Sequence, residues 1–137
     1  MFRINRQTQS LETVQTTNLV EENILERYDL QRMMVNSWPA VRNNLGIPDA
    51  FLVGEEIKAH DSVQNSIDIL AFDSNDNSLV VVELKRDRNK LQLLQSLSYA
   101  AMINTWDKDE LLLSIKAQSS ESEELRELIK DSDSEYD

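Results

Sequence analysis

A chain of 137 residues with 40% hydrophobic and 28% charged side chains has the length and composition of one globular domain built on a single core. It has no cysteine and one histidine, His60, which excludes disulfides, thiolate zinc sites, histidine-pair metal sites and, within one chain, most nucleophile–histidine catalysis. The net charge of −11 argues against a general nucleic-acid binder. No apolar run approaches membrane-spanning length and no signal-peptide pattern is present, so the expectation is a soluble, cytoplasmic protein with no membrane partner. With Gly46 and Gly54 as its only glycines, the chain has no Walker or Rossmann phosphate loop.

Residues 1–18 are polar and rich in Gln and Thr; Phe2-Arg3-Ile4 alternates as an edge strand would, on a weak signal. A helix is predicted from Asn18, with Leu19, Ile24, Tyr28, Met33 and Met34 as an imperfect apolar face. It should stop before Pro39, because the residue ahead of a proline avoids helical dihedrals. Trp38 to Pro48 reads as a connection with a turn around Asn43-Asn44-Leu45-Gly46, and Phe51 to Ala59 as the first strand of the core. Within it, Glu55 and Glu56 read as a solvated strand edge. His60 to Asn65 is a loop.

The most informative stretch is Ile67 to Lys85. Two short apolar runs, Ile67 to Asp73 and Leu79 to Lys85, flank the turn tract Ser74-Asn75-Asp76-Asn77-Ser78. Asp68 lies inside the first run, and Glu83 and Lys85 close the second on one face, with Leu84 on the other. Carboxylates rarely enter a strand core unless they are paired or bind a cation. A hairpin that brings Asp68 beside Glu83 makes a site for a hard divalent ion. Mg²⁺ takes one or two carboxylates plus water and phosphate oxygens, and a metal so held activates water against a phosphodiester. Lys85 would orient that water or neutralise the phosphate. The plainer reading is a hairpin with Asp68 at a strand entry and a solvated Glu83–Lys85 pair at its exit.

Asp68, fourteen intervening residues and then Glu83-Leu84-Lys85 resembles the PD-(D/E)XK phosphodiesterases, the restriction-endonuclease-like superfamily. The flanks, Ile67 to Asp73 and Val81 to Arg86, are most similar to proteins with an N-terminal domain like that of mismatch-type endonucleases. The resemblance covers roughly Glu26 to Ile103. It implies an α/β fold with a restriction-endonuclease-like core, a mixed β-sheet flanked by helices in the order helix–strand–strand–strand–helix. It implies that Glu26, ahead of Asp29-Leu30-Gln31, is an outer metal or water contact, and that the Leu84 carbonyl assists Asp68 and Glu83 at the metal. Gln95-Ser96-Leu97-Ser98-Tyr99 is similar to the QxxxY element of part of the superfamily, which implies that Gln95 steadies the site and Tyr99 packs or contacts the nucleic-acid backbone. Ser66 stands where the family often has a basic residue.

Lys85, Arg86, Arg88 and Lys90 form a basic cluster interrupted by Asp87, suited to gripping phosphates without reading sequence. A solubilising loop would look the same. A helix is predicted over about Asn89 to Asn104. Leu91 to Trp106 holds no charged residue; Leu93, Leu94, Leu97, Ala100 and Ala101 form one broad apolar face, and Gln92, Gln95, Ser96 and Tyr99 the stripe opposite. That uncharged stripe would face the site or another protomer. Leu111 to Ile115 fits a short strand or a capped helix, with the family comparison favouring helix. Ser120 to Lys130 is a charged helix, and Asp131 to Asp137 a disordered tail. From residue 118 on, eight acids face Arg126 and Lys130, so this end carries −6 of the −11.

The expected organisation is a polar segment over residues 1–18, a nuclease-like domain over 19–117 and an acidic helix and tail over 118–137. The expected activity is Mg²⁺- or Mn²⁺-dependent hydrolysis of a nucleic acid, DNA favoured, by Asp68, Glu83 and Lys85. If Leu111 to Ile115 is not a strand, the usual last core strand is missing and a homodimer or partner subunit would cover the open edge. The rival readings are an inactive nuclease-fold binding module and an acidic inhibitor or assembly protein that imitates DNA.

Overall fold

A computed structural model describes residues 2–18, 27–84, 91–116 and 120–131. Strands β1 (Phe2–Asn5) and β2 (Ser10–Thr13) form an antiparallel hairpin. The weak edge-strand signal at Phe2-Arg3-Ile4 thus corresponds to a real strand, closed by local chemistry. The Asn5 side-chain oxygen accepts from the amides of Gln7 and Thr8 at 3.1 and 3.2 Å, and its amide donates to Glu12 at 2.7 Å.

Helix α1 (Arg27–Asn36) ends ahead of Pro39 as expected. The segment after it is not a connection: Trp38–Leu45 is a second helix, α2. Pro39 sits in its first turn, where a missing N–H costs nothing because no intrahelical acceptor awaits it. Gly46 ends the helix in the left-handed region at φ 77°, a conformation open to glycine at no steric cost. The Trp38 indole donates to the Ala50 carbonyl at 2.9 Å, which ties α2 to the start of the next strand.

The central sheet is β3 (Ala50–Ile57), β4 (Ile67–Asp73) and β5 (Ser78–Val82), in that order and antiparallel throughout. Between β4 and β5 the turn is made as its composition foretold: the Asp73 side chain accepts from the Asn75 amide at 3.0 Å, and Asn77 takes a positive φ of 50°. In β3 the register shifts between Leu52 and Gly54, so Val53 is the extra residue of a bulge. Its carbonyl accepts the Lys116 amide at 3.2 Å.

Helices α3 (Leu91–Ile103), α4 (Lys108–Ser114) and α5 (Ser120–Asp131) complete the order. Strand alternation explains how they pack. Ile69 and Ala71 of β4 face a cluster with Trp38, Leu30, Met34 and Val35 from α1 and α2. Leu70 and Phe72 face a second cluster with Tyr99, Ile103, Leu111, Leu125 and Ile129 from α3, α4 and α5. With helices on both faces, every residue of β4 is buried. Met33, assigned from the sequence to the apolar face of the first helix, is exposed.

The chain is therefore mixed α/β with a helix–strand–strand–strand–helix order. Two expectations need correction. The sheet is not mixed: among the described residues all strand pairs are antiparallel. A parallel partner for β5 would have to come after α3, and there Asp107 opens α4 instead. Its side chain accepts from the Glu110 amide at 2.9 Å while the Glu110 side chain accepts from the Asp107 amide at 2.9 Å, a reciprocal cap that commits Leu111 to helix.

The second correction concerns α3. Leu93, Leu94, Leu97, Ala100 and Ala101, read as its core face, are exposed, whereas Tyr99 and Ile103 are buried and Gln95 and Ser96 half-buried. The helix turns Gln95, Ser96 and Tyr99 toward the sheet and Leu93, Leu94 and Leu97 to solvent.

Leu70 is fully buried and Leu113 is 85% exposed. Leu70→Ala is expected to cost about 2–5 kcal/mol and Leu113→Ala no more than about 0.5 kcal/mol, measured as the urea midpoint at constant slope.

Candidate metal and nucleic-acid site

Asp68 is the second residue of β4 and completely buried. The β4–β5 ladder ends with Ile69 opposite Val82, and Asp68 and Glu83 are the next residues on the two segments. Val80, Val82 and Leu84 pack with Ile69 and Ala71 on the α1–α2 face, and Leu79 and Val81 with Leu70 and Phe72 on the other. Two acids fifteen positions apart in the chain thus lie at the same end of the β4–β5 pair.

The backbone exit of β5 is built around the first of them. Asp68 Oδ2 accepts the Leu84 amide at 2.7 Å in a buried hydrogen bond. β5 ends at Val82, two residues before this bond, although the sequence pattern runs on to Lys85. Leu84 itself is buried in the cluster with Ile69 and Ala71. Glu83 is half-buried.

On the α3 side, Gln95 Nε2 donates to the Tyr99 hydroxyl at 3.2 Å. These residues lie one helical turn apart on the face turned toward the sheet. Tyr99 is only 3% exposed and packs with Leu70 and Phe72. Of the two roles that the resemblance implies for Tyr99, its burial fits packing and leaves little surface for a nucleic-acid contact: it is a core residue whose hydroxyl accepts the Gln95 amide. Glu26, Lys85, Arg86, Arg88 and Lys90 lie outside the described residues.

Two further acids occupy β3 at this end of the sheet. Glu55 accepts from Gln31 Nε2 of α1 at 3.2 Å. Glu56 takes a positive φ of 51°, accepts a hydrogen bond from Ser66 Oγ, and accepts Lys116 Nζ on its carbonyl at 3.0 Å. Both are half-buried and engaged, not a solvated edge. Gln31, which sequence reasoning misses as a site residue, is 2% exposed. Its one signal in the sequence is a lone amide on the α1 stripe that also carries Met34 and Val35. Ser66, which departs from the family pattern, serves here as a donor to Glu56.

Among the described residues no three His, Asp or Glu side chains form a ready-made metal cage. Magnesium does not require one, since it keeps several waters and binds through one or two carboxylates. Asp68 and Glu83, two carboxylates just beyond the last β4–β5 pair, meet that number. A separate cleft of about 900 Å³, lined by Phe72, Ser74, Ser78, Leu79, Asn104 and Trp106, opens at the turn end of the hairpin. That end is roughly 13 Å along β4 from Asp68.

No family model, curated protein or solved structure matches the chain.

Because Asp68 Oδ2 is the partner of a buried amide, Asp68→Ala is expected to destabilise the fold by about 1–3 kcal/mol. Asp68→Asn, which keeps an acceptor, is expected to recover most of it. Hydrogen exchange of the Leu84 amide, faster in the alanine variant and little changed in the asparagine one, checks the assignment.

Proposed function

We propose that the chain is a Mg²⁺- or Mn²⁺-dependent nuclease of the PD-(D/E)XK kind, acting in the cytoplasm on a nucleic acid, DNA by preference. The observation that carries the reading is a fully buried Asp68 whose carboxylate accepts the Leu84 amide, beside the last β4–β5 pair, Ile69 with Val82, with Glu83 next in the chain, directly ahead of Lys85, Arg86, Arg88 and Lys90. Asp68 and Glu83 would hold the ion, with the Leu84 carbonyl. When bound, the ion would lower the pKa of a water and polarise the phosphodiester. Lys85 would orient the attacking water, and Gln95, held by Tyr99, would steady the substrate side. The basic residues up to Lys90 would grip the phosphates and offset the net negative charge at the one place where a polyanion must approach.

The Asp68–Leu84 bond favours a second reading. Since one carboxylate oxygen already has a structural duty, the same fold could serve as a binding module that does no chemistry. Calorimetry separates the two. The nuclease reading expects Mn²⁺ binding that Asp68→Asn weakens at least tenfold, and the module reading expects none.

Cleavage of single-stranded, duplex and branched DNA and RNA tests the proposal directly. Wild type should cut with Mg²⁺ or Mn²⁺ and not with EDTA, while Glu83→Ala and Lys85→Ala should lower the rate by a hundredfold or more, roughly the loss of one electrostatic or acid–base contribution. Unaltered cleavage by Glu83→Ala would overturn it. Arg86→Ala and Arg88→Ala should instead weaken binding and reduce its salt dependence by about one ion each.

A further inference from the structure

Two apolar surfaces of this chain face water within the single copy. The first is on the N-terminal hairpin. The pairing of Phe2 with Thr13 and of Ile4 with Leu11 places these side chains on one face, and Arg3 with Glu12 on the other. Phe2, Ile4 and Leu11 are 66%, 71% and 66% exposed. The second is the outward face of α3, where Leu93, Leu94 and Leu97 are 66%, 60% and 56% exposed. Scattered exposed leucines are ordinary, but two contiguous apolar faces on one small chain are not.

We infer that these surfaces cover each other between two copies of the chain, the hairpin of each lying on α3 of the other. Four observations support this occupant. An isolated two-stranded hairpin is at best marginally stable in water, so β1 and β2 need a surface to lie on. Within one chain the hairpin leaves both its own apolar face and the α3 leucines exposed. Both faces are uncharged, since Leu91 to Trp106 and the Phe2–Ile4–Leu11–Thr13 face carry no acid or base. For chains of net charge −11, such faces are where two copies can meet without like-charge repulsion.

The sizes also agree. Four residues of strand span about 13 Å, and the α3 stripe from Leu93 to Ala101 spans about 12 Å. A reciprocal exchange repeats the contact twice about a two-fold axis, which doubles the buried area and closes the assembly at two copies.

The absence of native cysteine makes the test clean. Ile4→Cys and Leu97→Cys proteins are mixed, oxidised and compared with each variant oxidised alone, and wild type and Leu94→Lys/Leu97→Lys are sized by sedimentation. The expected results are a mixed disulfide between the two variants, a wild-type mass of two chains at tens of micromolar, and a mass of one chain for the lysine variant with its circular dichroism unchanged. Three results would each overturn the inference. They are a wild-type mass of one chain, Leu97→Cys pairing with itself in preference to Ile4→Cys, and a doubly substituted chain that closes its disulfide internally. Mass and cross-linking are read without any cleavage assay, so the outcome is independent of the nuclease reading.

Discussion

Strand β4 has helices on both faces, and that leaves its one early acid, Asp68, with no route to solvent through the sheet. A buried carboxyl group must find hydrogen-bond partners or be expelled. Here the Leu84 amide supplies one, and that bond ties the residue after Glu83 to β4. The geometry of the site is thus a consequence of satisfying one buried polar group. A single side chain serves both the fold and the chemistry proposed for it, so loss of activity in a variant at Asp68 has to be read beside its stability.

The hairpin at the centre is legible because short apolar β-branched runs around an Asn/Asp/Ser tract have few other solutions. The register, from Asp73 opposite Ser78 to Ile69 opposite Val82, then comes from turn length and strand alternation. The helices are harder to read. Trp38-Pro39 suggests a break, yet proline suits a first helical turn, and the bond that holds Trp38 in place runs to Ala50, which no local pattern reveals. On α3 the periodicity is right and its direction wrong. Hydrophobicity alone assigns the leucines to the core, while the sheet takes Tyr99 and Ile103 and tolerates Gln95 through the Tyr99 hydroxyl. Leu111 to Ile115 is ambiguous by periodicity and is decided by the cap at Asp107, whose partner Glu110 is itself visible in the sequence.

Charge organises the rest. Acids predominate in α5, which packs on β3, while the bases that would meet a polyanion come directly after β5 in sequence. The hairpin and α3 contribute the uncharged surface. The polyanion site and the self-association surface proposed above therefore draw on different residues.

Paramagnetic broadening of backbone amide signals by substoichiometric Mn²⁺ tests most directly whether Asp68 and Glu83 make one site. Selective loss of the Asp68, Glu83 and Leu84 signals, abolished in Asp68→Asn, is the expected result. Broadening confined to the acids of α5, with β4 and β5 untouched, would contradict a shared metal site at these two carboxylates.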